Sequence, residues 1–335
     1  MSAIPVTGQF RNIYLEKNAG STLYLTVTPT CNHYYQINTI GAVCYNGGAQ
    51  NIIIPTSGNG GSVAAYTNLT LAGTGTKTAA TTPTVNGILS MEGTATITVT
   101  SGVVTYGPNA TLRYNTSTSR TVSSEEWITP FAATGGVIID NTGTITLNAA
   151  KDVNSLLTIK SGATLSTSTY TLTVGGDFTV NGTLSGTGAI TLDTGSANID
   201  GTGSVTDTAT LTISAAKTFL STANLSFSDT IAISGSITVT NNGIVTTSAS
   251  GGITGSVTGS TWTQGTNAAL NITGPLLATG TLTASATGNT VNYNGAGQTV
   301  KSATYYNLIL SGSGTKTLGG PVTVNGNLTI GSSTT

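Results

Sequence analysis

The chain has 335 residues, of which 6% are charged, 37% are hydrophobic and 44 are glycine, with a formal net charge of -1. Its 10 basic residues are scattered, which excludes the clustered Lys and Arg that nucleic acid requires and the basic amphipathic helix of a membrane-surface protein. The hydrophobic content argues against disorder, and no run of about 18 apolar residues is present to span a bilayer.

In chain order, the opening MSAIPVTGQF lacks the basic n-region and long apolar core of a signal peptide. Residues 1–55 then stand apart in composition. Tyr14, Tyr24, Tyr34, Tyr35 and Tyr45, with Tyr66 just beyond, are half of the 12 tyrosines, and both cysteines and the single histidine lie here too. This stretch is expected to be a small N-terminal β-module or cap, because the terminal coil of a stacked fold otherwise exposes an unpaired strand edge. Cys31 and Cys44 are expected to form one disulfide closing a short loop. Two free buried thiols are the alternative. A metal site built on Cys31, His33 and Cys44 would lack the fourth ligand that structural zinc takes.

Residues 56–335 carry a degenerate repeat. The segment YTNLTLAGTGTKTAATTPTVNGIL (66–89) aligns without a gap on YYNLILSGSGTKTLGGPVTVNGNL (305–328). A third TVNG stands at residues 179–182, and NYNGAGQTV (292–300) has a looser relative in RYNTSTSRTV (113–122). Between the copies, short alternating runs recur: ATITVT (95–100), TITL (144–147), TLTV (171–174), AITL (189–192), TLTI (210–213) and SITVT (236–240). Alternation with period two predicts strands that bury Ile, Leu and Val on one face and show mostly Thr on the other. Strands this short, an interior palette this narrow, and apolar positions such as Leu172, Ile190, Leu211 and Ile231 recurring about every twenty residues favour a solenoid over a sandwich. The predicted fold is therefore all-β, a right-handed parallel β-helix of about 11–14 coils behind the small N-terminal module.

The runs YYNLILSGSGTKTL and VTVNGNLTI resemble a repeat of large secreted bacterial surface proteins, adhesin-like and built as parallel β-helices. The resemblance is strongest over residues 286–330, weaker over 64–91 and only textural over 92–285. It implies an exported, extracellular or cell-surface protein acting in adhesion or as a stalk, and it implies no catalytic residue.

Few residues of the chain are suited to chemistry. Glu125 and Glu126 are adjacent, so in a strand they would face opposite ways, unlike the paired carboxylates of a polysaccharide-active β-helix. Asp193, Asp200 and Asp207 lie beside turn residues and read as Asx turns. His33 has no nucleophile-elbow motif to serve. GTGTKT (73–78) and GSGTKT (312–317) lack phosphate-loop spacing and read as coil corners. No enzyme, metal or cofactor is expected. Candidates for contact with a surface glycan or a host or cell-surface ligand are Tyr34, Tyr35, Trp127, Trp262, Tyr305 and Tyr306. Sequons occur at Asn68, Asn109, Asn115, Asn181, Asn224, Asn271 and Asn327, as chance allows in so Thr-rich a chain.

The leading expectation is a non-enzymatic structural or adhesive surface protein, a stalk or filament-forming unit. The alternative is a receptor-binding protein of the phage or viral tail-fibre type. Ice binding would require one flat face with Thr at matching positions in consecutive coils. LTIGSSTT stops within a repeat, so head-to-tail self-association, or more chain, is expected at that edge.

Overall fold

Period-two alternation over three to five residues makes strands too short to stand alone, so each is stabilised by its counterparts in the coils before and after it. A computed structural model describes residues 9–15, 21–28, 30–36, 41–56, 64–248, 251–332 and 334, with the backbone alone for 9–15, 21 and 30–36. Every regular element among them is a strand, and every strand pairing shown is parallel. The chain divides into two compact units, residues 1–155 and 156–335.

In the first unit, Ser21–Leu25, Gly41–Tyr45, Asn68–Leu71, Ile88–Glu92, Thr111–Asn115 and Val137–Asp140 are successive neighbours in one sheet. Solenoid stacking thus already includes strands from residues 21–45, the stretch that composition sets apart. Gln9–Leu15 and Thr30–Gln36 pair with each other. The register places Val43, Leu69, Leu89, Leu112 and Val137 in one inward file and Tyr45, Leu71, Met91, Tyr114 and Ile139 in a second. All ten are buried.

Besides the two-stranded pairs Gln298–Val300 with Lys316–Leu318 and Thr304–Tyr305 with Thr323–Val324, the second unit has three long sheets. One runs from Leu157–Ile159 through Phe178–Val180, Ala197–Asp200, Lys217–Phe219, Thr238–Asn241 and Thr261–Gln264 to Thr281–Thr283. Another runs from Thr164–Ser166 to Leu328–Ile330, and a third from Leu172–Val174 to Ile253–Gly255. Leu172 pairs with Ile190, Ile190 with Leu211, and Leu211 with Ile231, the file expected from sequence. Each is buried to 2% exposure or less, worth about 1.5–3 kcal/mol per side chain. The all-β parallel solenoid expected from the residues is the fold observed.

Polar ladders follow the same register. Inside the coils, the Asn241 Nδ2 and Trp262 Nε1 donate to Gln264 Oε1 at 2.9 and 2.8 Å, so one buried amide oxygen satisfies both a second amide and the indole. On an outer face, Asn271 donates to Thr246 and Asn292 to Asn271, both at 3.2 Å, and Ser311 donates to Asn292 at 2.7 Å.

Candidate functional site

The two gap-free copies fold alike, and the likeness reaches further than the alignment. In the first, Tyr45 donates its hydroxyl proton to Tyr66 across 3.1 Å, Tyr66 donates to the Ile53 carbonyl, and the Ile53 N–H donates to the Tyr45 oxygen at 3.0 Å. In the second, Tyr293 and Tyr305 stand 2.9 Å apart, Tyr305 donates to the Lys301 carbonyl at 2.6 Å, and the Lys301 N–H donates to Tyr293 at 3.0 Å. A glutamine comes after each first tyrosine. The Gly47 N–H donates to Gln50 Oε1 at 2.8 Å and Gln50 Nε2 to the Leu25 carbonyl at 2.9 Å. The Gly295 N–H and Gln298 repeat this at 2.8 Å and, to Ile272, at 2.9 Å. CYNGGAQNI (44–52) is therefore the counterpart of NYNGAGQTV (292–300), a closer one than the RYNTSTSRTV expected from sequence. In that third segment Tyr114 is answered by the buried Glu126 at 3.2 Å, and the Arg120 guanidinium lies over the Tyr114 ring at 5.7 Å.

Each module ends in a lysine seated among carbonyls. Lys77 Nζ donates to Gly47, Gly48 and Thr74 at 2.7, 2.5 and 3.0 Å, and the residue is wholly buried. Lys316 Nζ donates to Gly295 and Ala296 at 2.6 and 2.9 Å and to Gln298 Oε1 at 3.1 Å. Gly73 and Gly312 make the nests possible. Their φ of 73° and 79° suits glycine, and a β-carbon there would strike the carbonyls of residues 46–47 and 294–295. The G-x-G-T-K runs are coil corners, as expected from spacing, and corners that present carbonyl oxygens hold a cation and repel phosphate.

Two more lysines are used in the same way. Lys151 Nζ donates to the Trp127 carbonyl at 2.6 Å, and Lys217 Nζ to Thr194, Gly195 and Gly175 at 2.7, 3.2 and 3.4 Å. Burial pushes the ammonium pKa of Lys77, Lys151, Lys217 and Lys316 below its ordinary value. In so sparsely charged a chain, these cations fasten coil to coil through backbone acceptors. An ion pair joins Arg113 to Asp140 at 2.6 Å.

The acids serve the backbone. Asp193 accepts the Thr194 N–H at 2.7 Å, Asp200 the Gly201 N–H at 2.8 Å, and Asp207 the Ala209 N–H at 2.9 Å with the Thr167 hydroxyl at 2.6 Å. Glu125 and Glu126 lie in a turn and not in a strand. Glu125 accepts the Val99 N–H at 2.9 Å, and Glu126 accepts the Ser123 N–H at 2.7 Å.

Of the aromatic candidates, Trp127, Trp262 and Tyr305 are fully buried, so their faces pack against neighbours and offer no surface for a sugar to stack on. Trp262 lies 5.6 Å from the Phe219 ring and Trp127 5.8 Å from Tyr114. Tyr306 is part-exposed. The side chains of Tyr34, Tyr35, Cys31 and His33 lie outside the described residues. Cys44 is a free, buried thiol, and burial first, then the nearby Glu92, pushes its pKa up to about 11. Burial of this kind disfavours the thiolate, the form that undergoes exchange. Among the described residues no group of three His, Cys, Asp or Glu could hold a metal ion, and no helix is long and apolar enough to cross a membrane.

Comparison with known protein families, with characterised proteins and with solved structures finds no match.

Proposed function

We propose that the chain is a non-enzymatic structural or adhesive element of the cell surface, a β-helical stalk or filament-forming unit. The observation that carries this reading is the use of its charged groups. Lysines and aspartates are spent on backbone carbonyls and amides at coil corners, while outward strand positions carry Thr, Ser and Asn. That arrangement stiffens a stack and covers it with hydroxyls and amides. Head-to-tail self-association belongs to the same proposal, supported by the exposed apolar side chains of Leu318, Leu328 and Ile330. The test is immunogold labelling and protease shaving of intact source cells, with attachment of a deletion strain measured beside the parent. Surface label and reduced attachment are expected; protein confined to the cytoplasm contradicts the proposal.

A second reading, ice binding, has one observation in its favour. Thr238, Thr261 and Thr281 are in register, and so are Thr240, Thr263 and Thr283, giving Thr-x-Thr in three consecutive coils of one sheet. Hydroxyls there repeat at about 6.7 Å along the strand and about 4.8 Å between coils. Thermal hysteresis lost on Thr263→Tyr would support it, and unaltered ice growth in the wild-type protein removes it.

A further inference from the structure

In the second unit the sheet that starts at Leu172–Val174 breaks after Ile253–Gly255. The next coil contributes a single bridge, in which the Ile253 N–H donates to Pro275 at 2.9 Å and the Leu277 N–H to Ile253 at 2.7 Å. Successive residues of a strand aim their backbone groups to opposite sides, so the N–H and C=O of Leu276 point away from Ile253. Leu277 then turns off with φ at 47°, a left-handed conformation uncommon for leucine. One coil on, Gln298–Val300 pairs with Lys316–Leu318, the Gln298 N–H donating to Thr315 at 3.1 Å and the Gly319 N–H to Val300 at 2.9 Å. By the same alternation the N–H and C=O of Thr299 face the other way, towards residues 273–278.

Between these two edges lies a cavity of about 660 Å³ lined by Pro275, Leu276, Gly297, Thr299 and Lys301, among others. Its lining has one cation and no acid. Lys301 Nζ donates to the Leu277 carbonyl at 2.5 Å and keeps two further N–H donors. The first module shows how such an edge is closed. There the Asn51 N–H, in the place of Thr299, donates to Thr28 Oγ1 at 2.8 Å. Pro275 occupies the corresponding position and has no hydroxyl to offer.

We propose that this groove receives an extended peptide segment by β-strand addition between residues 275–277 and 298–300, with a carboxylate of that segment at Lys301. The segment pairs with Leu276 on one wall and Thr299 on the other. The inference goes beyond the surface reading and stands or falls without it.

The test uses the full chain and two fluorescein-labelled peptides, TVTVTE with a free C-terminus and its amidated counterpart TVTVTQ, read by anisotropy and by hydrogen exchange. TVTVTE is expected to bind, with slower exchange at 275–277 and 298–300, and amidated TVTVTQ about tenfold more weakly, the factor for about 1.4 kcal/mol. Gly297→Leu should abolish binding without unfolding, because the nearest heavy atom to a β-carbon there is the Thr315 oxygen at 3.5 Å. Lys301→Met should erase the preference between the peptides, and this carries the test if Gly297→Leu fails to fold. The proposal is overturned if neither peptide binds, if binding survives Gly297→Leu, if Lys301→Met leaves the preference intact, or if a neutral hexasaccharide protects those segments and the peptides do not.

Discussion

Replacing Lys77 by Met keeps most of the side chain's volume and removes the ammonium that holds the Gly47, Gly48 and Thr74 carbonyls. A hydrogen bond to a charged group contributes about 1.5–3 kcal/mol. Three such bonds share one cation, and Met, whose side-chain entropy cost on burial is similar to that of lysine, recovers apolar contact. The net loss is then about 2–4 kcal/mol. Lys316 occupies the same nest but is half-buried, so water replaces part of what it gives and Lys316→Met should cost about 1–2 kcal/mol. Lys160→Met, at an exposed position where solvent screens its contacts, should cost under about 1 kcal/mol. Urea unfolding followed by circular dichroism measures all three, with the m-value checked for constancy. Equal and negligible losses at Lys77 and Lys160 would refute the nest as a coil fastener.

Leu172→Ala or Leu211→Ala should cost about 2–5 kcal/mol, whereas outward Thr173→Ala should cost under about 1 kcal/mol, by the same unfolding assay. Gly295→Ala should destabilise by more than about 2 kcal/mol, since its β-carbon would overlap the Thr273 carbonyl, while Gly297→Ala should be tolerated; a thermal melt of each decides. The buried tyrosines should lose their contribution to stability in alkali, against an opposite linkage from the four lysines whose pKa burial lowers. Burial pushes Tyr293 from 10.0 up to about 12, and Tyr305 rises as well, so their contribution is complete below pH 10 and is lost as pH climbs through the folded value. Cys44, raised from 9.0 to about 11, adds a smaller loss that begins near pH 9, and urea midpoints between pH 8 and 12 should show a slope that Tyr293→Phe reduces.

The stack was legible because its signal is local. Leu172, Ile190, Leu211 and Ile231 alternate with Thr or Ala and recur at nearly equal spacing, and they occupy one file. The equivalence of residues 44–52 and 292–300 was hidden by the unequal connections leading out of them. Tyr45 meets its partner 21 residues on and Tyr293 only 12 residues on, so the coil corner absorbs the difference and a gap-free alignment stops short of it. The role of Lys77 and Lys316 was unreadable for another reason. Their acceptors are backbone carbonyls, which every residue carries, so no residue pattern announces a nest. Trp127 and Trp262 drew attention as rare aromatics in a Thr-rich chain, yet large rings gain most by filling the core, and both are there.

Coil-on-coil stacking is tested most directly by spin-label distances along one outward file of the second unit. Thr173, Thr191, Thr212, Ala232 and Thr254 are successive register partners. At about 4.8 Å per coil, Ala232 lies about 14 Å and Thr254 about 19 Å from Thr173. Pairs labelled at 173/232 and 173/254 in a Cys31→Ser, Cys44→Ser background, measured by pulsed electron resonance, should give narrow distributions separated by about one coil. Distances that coincide, reverse or spread without a maximum would contradict the solenoid.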